Sequence, residues 1–166
     1  MARPQAKLWN WQLTVLVGLM FVMAAWFLLI AYRDLTSDKV PNAVQTLVTW
    51  IGVGVGNTAL ALAFLLRSRS RVGWLSTTVL VSFLAVVFTV SLSRLFLSVY
   101  HGVISEGDLF PGVLVELALL HISYFMCYLV SNKAVRGVLD ITDSWLRFCL
   151  TVGGTLGAVV VGWLIV

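Results

Sequence analysis

Five apolar stretches, at 9–32, 44–66, 73–100, 110–130 and 145–166, occupy almost all of a 166-residue chain. Crossing the hydrocarbon core of a bilayer as a helix takes about 20 apolar residues, and each stretch is long enough. The runs are continuously apolar, without the alternation of barrel strands, and a backbone in lipid must satisfy its own hydrogen bonds. The expected fold is therefore all-α: a polytopic helical membrane bundle of five transmembrane helices in a single membrane domain, 1–166. Charged residues make up 11% of the chain, against roughly 25% in a soluble domain, and the short connections leave no room for one. Arg3 and Lys7 precede the first run as in a signal peptide. That run exceeds the roughly 7–15 residues of a cleavable apolar core, so it reads as a retained first helix.

Basic residues are shared unevenly between the two sets of connections. Arg3, Lys7, Arg67, Arg69, Arg71, Lys133, Arg136 and Arg147 fall on one side, and only Arg33 and Lys39 on the other. Lys/Arg-rich connections stay in the cytoplasm, which predicts a cytoplasmic N-terminus and an external C-terminus. Tryptophans are expected in two belts, Trp9, Trp11, Trp74 and Trp145 near the inner interface and Trp26, Trp50 and Trp163 toward the outer one. The net charge of +4 then belongs to helix flanks and not to nucleic-acid binding, since no basic stripe is interleaved with aromatics. The turn Arg67-Ser-Arg-Ser-Arg71 reads first as a topology determinant, with contact to anionic lipid or an acidic partner as the alternative.

Two charges lie where hydrocarbon should be. Arg94 is about six residues before the outer end of the third span, and Glu116 about six residues into the fourth. At 1.5 Å rise per residue both sit roughly 9 Å below the same interface. An unpaired charge at mid-membrane costs at least about 2.5–3.5 kcal/mol, so the two are expected to pair across antiparallel neighbours. Such a pair serves either as an interhelical lock or as a proton- or ion-handling site, with outward snorkelling of Arg94 a further structural option.

His121 lies midway along the fourth span and His101 at the outer end of the third. Their depths differ by about 15 Å, too far for two imidazoles of one chain to share a haem iron. No His, Cys and carboxylate set has zinc-ligand spacing, so neither metal nor cofactor is expected. Tyr124, Tyr128, Ser91 and Thr89 are hydrogen-bonding candidates for His121, and a partner subunit is another. Cys127 and Cys149 lie within spans, form no CxxC motif and read as packing residues.

Residues Ile51-Gly-Val-Gly-Val-Gly-Asn57 have the look of a nucleotide-binding loop but lie inside an apolar span, not between a strand and a helix in water. Gly52 with Gly56, and Gly153 with Gly157, instead form GxxxG pairs that permit close helix approach, within the bundle or between copies. Asn57 is expected to face inward and bond another helix. Ser82, Thr89, Ser91 and Ser93 make the third span hydroxyl-rich, which suits a central position.

The order Trp9-Asn-Trp-Gln-Leu, then Gly56-Asn57, then Leu65-Leu-Arg-Ser-Arg-Ser-Arg71, and finally His121-Ile-Ser-Tyr124 through Ser131-Asn-Lys133-Ala-Val135-Arg136, resembles the YdgK-like bacterial inner-membrane family. The resemblance spans roughly residues 8–138. The family's opening Gly-Gly-Trp-Leu is absent, its Lys-Arg-Val core is loosened to Lys133-Ala-Val, and the fifth span lies beyond its four helices. That family has no assigned reaction; the resemblance implies a multi-pass location in the bacterial inner membrane. With no catalytic constellation in the sequence, the expected function is that of a small non-catalytic membrane protein, an accessory or scaffold subunit of a larger inner-membrane complex. Its expected partners are membrane lipids and other membrane-protein subunits, with no nucleic acid. The competing expectation is a small transporter or channel lined by Arg94, Glu116, His121 and Asn57, and an enzyme acting on lipid or quinone ranks third.

Overall fold

The computed structural model describes residues 11–36, 43–101 and 106–165, with side chains undescribed at 43–45, 47, 48, 106–112, 138 and 163–165. The expectations for Arg3, Lys7, Trp9 and Lys39, and for the Trp163 side chain, fall outside this description. Six helices follow in order: α1 Trp11–Leu35, α2 Ala43–Arg67, α3 Arg71–Tyr100, α4 Glu106–Ser131, α5 Lys133–Leu139 and α6 Asp143–Ile165. No strand occurs among the described residues. All but the short α5 are long and apolar enough to cross a membrane.

Helix starts and stops follow local chemistry. Ser70 caps α3 by accepting from the Gly73 N–H, and Asn132 caps α5 by accepting from the Ala134 N–H at 2.8 Å. The short α5 lies within residues 131–144, which read from the sequence as the longest cytoplasmic connection with one amphipathic turn. At the other end α4 starts at Glu106, inside residues 101–109, which read from the sequence as an acidic external loop.

α1 packs on α2, α2 on α3, α3 on α4, and α4 back on α1. These four form a closed ring, and α6 lies outside it against α3. As its hydroxyls suggested, α3 is the central helix, touching α2, α4 and α6. Its Thr77, Thr78 and Ser82 are buried and donate to the Gly73, Trp74 and Thr78 carbonyls of their own helix, so they add no unsatisfied polarity to the core.

The packed core lies toward the Arg67 end of the ring. It contains Leu16 and Met20 from α1, Ala63 and Leu66 from α2, Trp74 and Val81 from α3, and Met126 and Leu129 from α4. Trp74 was expected in the interfacial belt but is fully buried, and its indole N–H has no partner. The cause is the residue before it. A side chain at Gly73 would meet Leu65 Cβ at 2.6 Å, so only glycine lets α3 start so close to α2 and carry Trp74 inside. Trp11, Trp26, Trp50 and Trp145 are exposed, as an interfacial or lipid-facing tryptophan requires.

Both glycine pairs are used inside the chain. A Cβ at Gly56 would meet Leu28 Cγ of α1 at 2.8 Å, whereas Gly52 makes looser contact with the same helix at Ala31. On α6, Gly153 sits against the Ser82 hydroxyl and the Val79 carbonyl of α3, and a Cβ at Gly157 would stand 2.9 Å from the Phe83 carbonyl.

The basic connections are tied together by a polar clamp. Arg71 donates through Nε to the Leu139 carbonyl at 3.0 Å and through Nη2 to Asp140 at 2.6 Å. This joins the α2–α3 turn to the α5–α6 turn and puts both on one end of the bundle. Arg136 is buried, donates Nε to the Ser131 carbonyl at the end of α4, and pairs with Asp143 at the start of α6.

Candidate functional site

The polar groups within the spans concentrate along the seam of α3 and α4. The Ser91 hydroxyl on α3 donates to Glu116 Oε1 on α4 at 2.7 Å. The other oxygen, Oε2, is buried and has no hydrogen-bond partner. Further along the seam, the Thr89 and Tyr124 hydroxyls stand 3.3 Å apart. Thr89 also donates to the Ala85 carbonyl at 2.6 Å, and Ser93 donates to the Thr89 carbonyl at 2.8 Å.

Arg94 and Glu116 do not form the expected ion pair. No ion pair among the described residues joins them, and Arg94 is exposed. Depth placed both charges near one level, but depth says nothing of rotation about a helix axis. Ser91 lies about 4.5 Å deeper than Arg94 and about 60° around α3, and it is Ser91 that the carboxylate meets. An arginine this close to a helix end can carry its head outward along its methylene stem.

Asn57 is also not where expected. It is exposed on α2, and its Nδ2 donates to the Val53 carbonyl at 3.0 Å, one turn back in its own helix. This bond removes part of the penalty of an amide facing lipid and makes an interhelical partner unnecessary.

His121 is exposed on the outward side of α4. Its Nδ1 lies 2.7 Å from the Leu117 carbonyl oxygen. A carbonyl only accepts, so Nδ1 carries a proton there, and the other ring nitrogen, Nε2, has no hydrogen-bond partner among the described residues. Helical spacing puts Leu114, Tyr124, Phe125 and Tyr128 on the same face, and all four are exposed. The Phe125 and Tyr128 rings stack there at 6.3 Å. The four residues expected to line a polar path are therefore not brought together: Glu116 is in the α3–α4 seam, His121 on the outer face of α4, Asn57 on α2, and Arg94 near the end of α3. His101 is the C-cap of α3, far along the helix from the level of His121. No group of three His, Cys, Asp or Glu side chains placed to hold a metal ion occurs among the described residues.

Compared with protein-family models, with curated proteins and with solved structures, the chain matches none.

Sequence reasoning missed two features of the polar framework. Ser91 appeared as a candidate partner of His121 and not of Glu116. Arg71 and Arg136 appeared only as topology charges, although Asp140 and Asp143 in the same basic region were the available signal that these arginines had local partners.

Proposed function

We propose that the protein is a small, non-catalytic, multi-pass subunit that docks a larger membrane-protein assembly through the outward face of α4. The observation that carries this reading is the imidazole of His121, exposed midway along a membrane-spanning helix, with Nδ1 held by the Leu117 carbonyl and Nε2 unpartnered among the described residues. Leaving such a polar nitrogen in hydrocarbon costs of order 2 kcal/mol or more. A neighbouring helix that brings a hydroxyl, amide or indole donor to that level removes the penalty. Stacked Phe125 and Tyr128, with exposed Leu114 beside them in helical register, supply the apolar contact area around it.

The glycine pairs do not serve this purpose, since both are consumed by contacts within the chain. In the proposed setting the protein lies in the bacterial inner membrane with its N-terminus in the cytoplasm. The excess of basic residues on one set of connections supports that orientation, and the bacterial inner membrane is what the resemblance to the YdgK-like family implies.

Purification of the native protein in mild detergent, followed by mass spectrometry, tests the proposal. Stoichiometric recovery of another membrane protein, lost on His121→Leu while the variant keeps its thermal stability, is the expected outcome. Recovery of a lone homo-oligomer would overturn it. Substrate flux in proteoliposomes that disappears with Glu116→Gln would replace it with the transporter reading.

A further inference from the structure

An open groove of about 420 Å³ lies between α1 and the end of α2, lined by Leu13, Thr14, Val17, Gly18, Phe21, Arg67 and Arg69. Such a volume is within the roughly 300–1,000 Å³ of small-molecule sites. From Leu13 to Phe21 the wall extends about 12 Å along α1. At its deep end the Phe21 ring meets Phe64 of α2 edge-on at 5.4 Å. From Phe64, α2 runs outward to Arg67, so both arginines stand at the end of the groove nearest the membrane surface.

Charge at this mouth is uncompensated among the described residues. Neither Arg67 nor Arg69 forms an ion pair among the described residues, while the third arginine of the same turn, Arg71, is held by Asp140 and the Leu139 carbonyl. Residues 1–10, which lead into α1, contain no Asp or Glu to neutralise them. Arg69 is also held at φ 56°, the left-handed region that favours glycine. The site thus asks for a ligand with a negative head at the membrane surface and an apolar tail below it. A free anion or an acidic peptide would leave the Leu13–Phe21 wall unused.

We propose that this groove binds one anionic phospholipid of the leaflet at the basic end of the bundle. Its phosphate lies between Arg67 and Arg69, and one acyl chain lies along Leu13, Val17, Gly18 and Phe21. Gly18 supplies the width: a Cβ there would meet nothing within 4 Å, so the space beside it is open. The site is separate from the α4 face and does not depend on the partner proposed for it.

The test uses the intact chain in mild detergent, titrated in parallel with dioleoylphosphatidylglycerol and dioleoylphosphatidylcholine and counted by native mass spectrometry. The expected result is one phosphatidylglycerol retained per chain, in preference to phosphatidylcholine. Arg67→Gln with Arg69→Gln should weaken that binding roughly 30-fold, the effect of two arginines at an anionic surface. Gly18→Leu keeps every charge, strengthens the helix and fills the groove, and it should displace the lipid as well. Equal retention of the two lipids would overturn the proposal. So would displacement by equimolar inorganic phosphate, or full binding by Gly18→Leu, because either makes the arginines a plain anion site.

Discussion

What a half-buried carboxylate does depends on what each of its oxygens touches. Glu116 has one oxygen on Ser91 and the other enclosed without a partner, and Arg94 stands apart from both. The two obvious substitutions should therefore have unequal effects. Arg94→Gln is expected to change unfolding free energy by less than about 0.5 kcal/mol, as for a surface site. Ser91→Ala removes an interhelical hydrogen bond and should cost about 0.6–1.7 kcal/mol. Denaturant titration of both variants in mixed micelles decides the matter; a loss of about 3–5 kcal/mol for Arg94→Gln would restore the ion pair. Arg69 gives a second contrast. It stands at the position after the end of α2, where the Ser70 N–H bonds the Leu65 carbonyl and the Arg69 N–H bonds the Leu66 carbonyl, the helix-ending pattern that usually recruits glycine. Arg69→Gly should raise stability by roughly 1 kcal/mol by removing backbone strain, and should weaken binding of phosphatidylglycerol. A variant that gains stability and loses lipid separates what the residue does for the fold from what it does at the groove.

Among the elements, α6 depends most on a single face, since α3 is the one helix of the ring it packs against substantially. Gly153 meets the Ser82 hydroxyl and the Val79 carbonyl, whereas a Cβ at Gly154 would find only Val86 at 4.0 Å. Gly153→Ala is expected to destabilise the chain by about 1–3 kcal/mol through overpacking, and Gly154→Ala to be nearly neutral. Thermal unfolding in detergent, with limited proteolysis at the α5–α6 connection, would show both; equal melting of the two variants would mean that α6 does not dock through this face. The same helices show how much was legible from the sequence. Five runs of apolar residues fix where spanning helices lie, because length and hydropathy are local properties. The glycine spacing was legible too, but not which neighbour it meets, since that depends on ring order. Trp74 reads as interfacial until Gly73 is seen to admit it beside Leu65. α5 carried a start signal in Asn132, yet its reason for existing is tertiary: it positions Asp140 for Arg71 and Arg136 for Asp143.

For the molecule as a whole, packing and charge are polarised toward one end. The buried layer from Leu13 to Met23 on α1, Ala59 to Leu66 on α2 and Trp74 to Ala85 on α3 lies there, beside the clamp made by Arg71 and Arg136. At the opposite end Tyr32, Trp50, Leu97 and Tyr100 are exposed. This polarity has a physical logic for a membrane chain. Connections rich in Lys and Arg resist transfer across the bilayer, so the end that stays behind is the one whose charges can form ion pairs with Asp140 and Asp143. The basic end is therefore expected in the cytoplasm, and chemical labelling can check it directly. The native thiols give little background, because Cys149 is buried and Cys127 half-buried within spanning helices. A membrane-impermeant maleimide added to intact cells should label Thr36→Cys, at the end of α1, without permeabilisation. Ser68→Cys, in the turn between α2 and α3, should react only after the membrane is opened. The reverse pattern would invert the orientation and move the Arg67–Arg69 lipid site to the outer leaflet, whereas labelling of both positions in intact cells would mean that α2 does not cross.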